Sequence, residues 1–215
     1  MVTRALALAL ILATVGCTRI VEEARPQAQA PVAPITAGQV SDLLDQRAGH
    51  DRDPNLFVTV EPEQCAGLAR EVDPPFLFGA DTPAAHDGGQ YFVEDGGPSF
   101  SVVEMVAVYP ADYAPGEAVK RARATVESCR DDTMTTTAME GEVLNFRLAP
   151  SGDSGSSEIA LWSIKSRGWS CDNAFVAAHN AAVEITACGE VGGYDVLTLA
   201  EASLERIRKL ANTTA

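Results

Sequence analysis

Two short stretches carry residue types that could cut an ester or a peptide. "PAAHDGG" (83–89) offers His86, and "SGDSGS" (151–156) offers Ser154 among glycines. A serine nucleophile needs an imidazole within hydrogen-bond reach, an acid behind it and amide N–H groups for the oxyanion. His before Ser is the chain order of trypsin-like proteases, and acids lie between the two. The interval is too short for that chemistry. Its 67 residues include a helical pattern and a Gly/Pro turn, which leaves no room for one barrel and the start of a second. Gly-Asp-Ser-Gly is also what a hairpin loop selects on turn chemistry alone. No catalytic residue is assigned.

A second stretch raises metal chemistry. "GWSCDNAFVAAHNAAVEITACG" (168–189) sets Cys171 and Cys188 symmetrically about His179-Asn180. Zinc would need His179 and both thiolates on one centre. A two-residue turn at 179–180 instead pairs 178 with 181, and so on outward to 171 with 188. The imidazole then lies at the far end from the sulfurs. No C-x-x-C or H-x-x-x-H spacing occurs in the chain, so no metal and no cofactor is assigned.

Alternation along the hairpin makes Cys171–Cys188 a non-hydrogen-bonded pair, with Cα atoms roughly 4.5 Å apart. A disulfide accepts about 4.4–6.8 Å. One face carries Ala174, Val176, Val183, Ile185 and Ala187; the other carries Phe175, Glu184 and Thr186 beside the cysteines. Asn at the turn tolerates positive φ. The stretch reads as a stapled hairpin. Cys65 and Cys129 are the cysteines left over in the mature domain, and exported domains usually pair all of theirs.

The elements that would hold these residues follow from periodicity. Thr36 and Gln39 form a capping box ahead of a short helix with Val40, Leu43 and Leu44 on its buried side. "LFVTV" (56–60) reads as a strand, "PEQCAGLAREV" (62–72) as a helix and 73–89 as loop. "YFVE" and "FSVVEMVAVY" are strands joined by Gly96-Gly97-Pro98. "PGEAVKRARATVESC" is a helix that buries Ala118, Ala122, Thr125, Val126 and Cys129 and exposes Lys120, Arg121 and Arg123. Strands at 142–148 and 158–164 precede the hairpin. A last helix carries Leu197, Ala200, Leu204 and Ile207. This order predicts a single α+β domain, an antiparallel sheet packed against helices. Trp162 and Trp169 read as core and sheet-edge aromatics rather than a sugar platform, and His50 as a solvated loop residue.

The chain opens "MVTRALALALILATVGC". One cation, a short apolar run and small residues before a cut describe a secretory signal. The ending is similar to the lipobox of bacterial lipoproteins, in which the cysteine after the cut is acylated. Gly16 and Val15 fit, while Thr14 stands where a leucine is usual. The expected plan is a signal peptide over 1–16, a lipid-anchored tether over 17–35 rich in Pro, Ala and Gln, and a domain over 36–211. Several acyl chains on Cys17 would hold the protein to the membrane. The chain has 215 residues with 16 Lys+Arg against 30 Asp+Glu, a formal charge of −14. Such a balance argues against nucleic acid as a partner.

Four stretches together resemble a known family. They are "EQCAGL" (63–68), "YP" (109–110) with the helix that ends at Cys129, "GWSC" (168–171) and "HNAAVEITAC" (179–188). The chain is similar to the PknH-like extracellular domain, found outside the membrane in mycobacterial receptor kinases and in related lipoproteins. His179 replaces one of the family's Asn pair, and Ala181-Ala182 replace bulkier residues. The resemblance implies an α+β domain with disulfides 65–129 and 171–188 and a concave groove for a ligand. It supplies no catalytic residues. The expected function is a non-catalytic binding or sensor-like domain for an unidentified small molecule or envelope partner, lipid-anchored on the extracytoplasmic face of the cell membrane. An exported hydrolase and an envelope lipid carrier are the alternatives; the carrier would need a deep apolar cavity.

Overall fold

In the computed structural model, residues 33–49, 56–94 and 96–213 are described. Cys17, the signal peptide, the tether up to residue 32 and His50 lie outside them. Eight strands form one antiparallel sheet: β1 (Phe57–Glu61), β2 (Ala85–Val93), β3 (Phe100–Val108), β4 (Thr133–Ala138), β5 (Val143–Ala149), β6 (Ile159–Ser166), β7 (Trp169–Ala178) and β8 (Ala181–Gly189). The spatial order is β1-β4-β5-β6-β7-β8-β3-β2. The hairpin has the expected register, from Ala178↔Ala181 out to Cys171↔Cys188. The two cysteines are bonded, with Cα atoms 4.1 Å apart.

Both faces of the hairpin are buried, because helices cover the sheet on both sides. α3 (Val196–Thr213) and a 3-10 helix, Ala37–Leu43, lie on one face. They enclose Val176, Val183, Ile185 and Ala187 with Leu43, Leu204 and Ile207. Glu104 reaches this layer with 0 % exposure. It accepts hydrogen bonds from the Asp45 N–H at 2.7 Å and from Arg206 at 3.3 Å, which ties the 3-10 helix to α3. A buried carboxylate is tolerable only with such partners.

The other face carries a second layer of helices. α1 (Pro75–Phe78) and α2 (Pro115–Ser128) pack there, around Trp162, Phe175, Phe146, Leu68 and Leu77. Pro115 opens α2 where its missing N–H costs nothing. The buried stripe of α2 is Ala118, Val119 and Ala122, and Cys129 follows at its end.

Three expectations are corrected. Residues 62–72 form no α-helix, only a 3-10 turn at Glu63–Cys65. The reason is Gly67, at φ +94°, where an added Cβ would stand 2.8 Å from the Phe76 ring. The chain turns there, and Phe57 then pairs with Glu71 as an isolated parallel bridge. Second, 73–89 is not all loop: it holds α1 and the start of β2. Third, the left-handed residue of the hairpin turn is His179, at φ 51°, not Asn180.

Asn180 has a different task. Its amide accepts from the Ile35 N–H at 2.9 Å and donates to the carbonyls of Ile35 at 2.9 Å and Tyr109 at 2.8 Å. The asparagine is buried, as is Ile35. One side chain therefore fastens the start of the domain to the tip of its central hairpin. Asn180→Ala should cost about 2 kcal/mol by stranding three buried backbone groups. A urea titration checks the loss, and hydrogen exchange at Ile35 should show protection lost there first.

Candidate functional site

Cross-strand neighbours share a face of the sheet. The register therefore places Gln90, Val103, Thr186, Asn173 and Trp162 in one row across β2, β3, β8, β7 and β6. The next row toward the hairpin turn contains Met105, Glu184 and Phe175, and the row on the other side contains Ser101, Cys188 and Cys171. These positions lie on the face packed by α1 and α2, under the 66–72 segment.

Polar atoms collect here without partners. Gln90 Oε1, Ser101 Oγ, Asn173 Oδ1 and Glu184 Oε2 are buried and make no hydrogen bond among the described residues. Folded proteins satisfy nine-tenths or more of such groups. Burial raises the Glu184 carboxyl well above the ordinary range, and Glu71 nearby adds to the effect. Burial also pushes Glu71 up to about 7, opposed by the hydrogen bond it accepts from the Gly67 N–H. Two carboxyls with raised pKa values thus face each other between the sheet and its cover.

Two open clefts lie at the Trp169 end of β7, and the larger reaches this patch at Ser101 and Cys188. One, of about 580 Å³, is lined by Phe92, Ser101, Trp169, Cys188 and Glu190 among others. A second, of about 270 Å³, is lined by Phe57, Arg70, Glu142, Arg167 and Trp169 among others. Trp169 belongs to both. Trp162, by contrast, is core: it is 1 % exposed and donates from Nε1 to the Leu68 carbonyl at 2.8 Å.

The protease-like residues do not meet. His86 is exposed on β2 with its ring against Phe78. Ser154 Oγ donates to the Ile159 carbonyl at 2.9 Å, just ahead of β6. Four strand spacings, roughly 19 Å, separate β6 from β2. The sulfurs of Cys65 and Cys129 lie within 4.8 Å of an Asp132 carboxylate oxygen. They are bonded to each other, Cα atoms 5.8 Å apart, and so are not thiolate ligands.

The model of the PknH-like extracellular domain family matches residues 26–206. This chain belongs to that family. A similar solved structure is the crystal structure of the extracellular domain of PknH from Mycobacterium tuberculosis, with a TM-score of 0.65 and 20 % identity. The match covers 83 % of this chain and 99 % of that one. No curated protein sequence matches. For a PknH-like extracellular domain, the two-disulfide α+β fold anticipated from the sequence is the fold observed. No described helix is long and apolar enough to cross a membrane.

The polar rows are not visible in the sequence, because Gln90, Ser101, Asn173 and Glu184 come from four strands and share no motif. One signal was available. Glu184 sits between Val183 and Ile185 in a strand whose alternate positions are all apolar or small, and a charge in such a strand is costly unless it is used.

Proposed function

We propose that this PknH-like domain is a lipid-anchored binding module of sensor type. It holds a small envelope-derived ligand on the face of the sheet that α1 and α2 cover, and performs no chemistry on it. The carrying observation is the set of four buried, unpartnered polar atoms on Gln90, Ser101, Asn173 and Glu184, reached at Ser101 by a cleft of about 580 Å³, in the size range of ligand sites. A ligand group that reaches the Ser101 hydroxyl there recovers one of the bonds that folding left unsatisfied. Two disulfides and a doubly covered sheet suit a rigid receptor, which loses little entropy on binding.

The lipid-carrier alternative wants an enclosed apolar cavity, whereas the clefts around Trp169 are open and mix charge with aromatic surface. The hydrolase alternative wants a nucleophile beside a base, whereas Ser154 lies in the loop ahead of β6 and His86 on β2, four strands away.

The test is native mass spectrometry of the full chain, extracted from the envelope in detergent and challenged with envelope extracts. A reproducible adduct that raises Tm supports binding. An absent adduct, combined with turnover of an ester, peptide or glycan panel, replaces the binding module with an enzyme. The anchor has its own test. Cys17→Ser should release the protein from membranes or leave it unprocessed; unchanged mass and partitioning would remove the anchor from the proposal.

A further inference from the structure

The structure assigns a ligand class to this face: we infer that it binds a saccharide, with one sugar ring stacked on the indole of Trp169. The inference rests on the binding reading above and adds the chemistry of what is bound.

Trp169 opens β7, pairs with Ser166 across the β6–β7 turn, and is half-buried. It is the wall common to two open clefts. A partly exposed indole offers a flat, weakly polar surface that suits the C–H face of a sugar ring. The surroundings suit the ring's edge. Ser99 and Ser101 bring hydroxyls on one side, and Arg70, Arg167 and Glu142 bring donors and acceptors on the other. Ser101 Oγ is one of the four atoms without a partner.

The pattern discriminates between ligand classes. An acyl chain wants an apolar enclosure, and these walls are polar at close intervals. A strongly anionic ligand would meet Glu142 and Glu190 as well as the two arginines, in a chain of formal charge −14. A polyhydroxylated ring uses donors and acceptors of both signs at once. Phe92, at 64 % exposure on the far side of the larger cleft, gives a second ring surface for the next sugar along.

The experiment is a titration of the full chain in detergent, followed by intrinsic fluorescence. Trp162 is buried in the core, so sugar-dependent changes report Trp169. The probes are oligomers of glucose, galactose, arabinose and glucuronic acid. Binding of at least one oligomer with a shift in emission is expected. Trp169→Ala should weaken that binding by at least tenfold while the protein stays folded by circular dichroism, and Trp169→Phe should retain most of it. Equal binding by wild type and Trp169→Ala would overturn the assignment of the stacking residue. If no oligomer binds while envelope extracts still give an adduct, the saccharide class fails and the binding reading stands. If neither binds, both fail.

Discussion

Replacing Cys65 and Cys129 together by alanine is expected to lower the unfolding free energy by about 4 kcal/mol, and Tm by roughly 10 °C. Their bond closes a span of 64 residues, and that of Cys171–Cys188 one of 17. Chain entropy therefore ranks the first above the second, which contributes about 3 kcal/mol. Local structure points the same way. Cys171 and Cys188 sit in strands already paired to neighbours on both sides. Cys65 sits in a segment with almost no regular structure, attached through the Leu68–Trp162 hydrogen bond and the bridge at Glu71. Cutting the first staple should loosen the cover over Glu184 as well as destabilise the whole. Thermal unfolding of the two double variants decides it. A larger loss from the hairpin pair would mean that packing, not the Cys65–Cys129 bond, holds the 62–72 segment in place.

Stability should also fall as pH rises from about 4.5 to 7. Glu71 has a folded pKa of about 7 against an ordinary value of 4.5. Within that window the folded state binds more protons than the unfolded state. The stabilisation is then complete below 4.5 and lost as pH passes through 7, an effect of about 3 kcal/mol. Glu184 and Glu104 shift in the same direction, both chiefly by burial. Asp45 opposes them: a hydrogen bond from Arg47 lowers its pKa, so its contribution exists above 3.8 and is lost on further acidification. Glu71→Gln keeps an acceptor for the Gly67 N–H and cannot ionise. Denaturant titrations at pH 5 and 7.5 should show a difference about 2 kcal/mol smaller in the variant than in the wild type. Equal differences would place the sensitivity elsewhere.

The hairpin was legible because turn, alternation and a cysteine pair each specify the same register. α2 and α3 were legible from their apolar spacing, which packing on the sheet then used. The failures have physical causes. β4, "TMTTTA", alternates only through Met134 and Thr136, a weak contrast that gave no sign of a strand. The first half of β2, "AHDGG", is so rich in turn formers that only pairing with β3 makes it a strand. Residues 62–72 have helical composition, and the contact of Gly67 with Phe76 overrides it. The candidate site was least legible, since Glu184, Asn173 and Gln90 come together only through the sheet's order, β7-β8-β3-β2.

The Asn180 clamp also has a mechanical consequence. Tension arriving along the chain from before Ala33 enters the domain at Ile35 and is handed to the tip of the β7–β8 hairpin. The tip belongs to β7 and β8, whose ladders to β6 and β3 then share the load. At the other end of β7, about 30 Å away, stand Trp169 and the Cys171–Cys188 bond, which stops the two strands from sliding past each other. A ligand gripped there would pull on the same two strands from the opposite side, making the hairpin a tie-rod between whatever holds the chain's first residues and whatever the cleft holds.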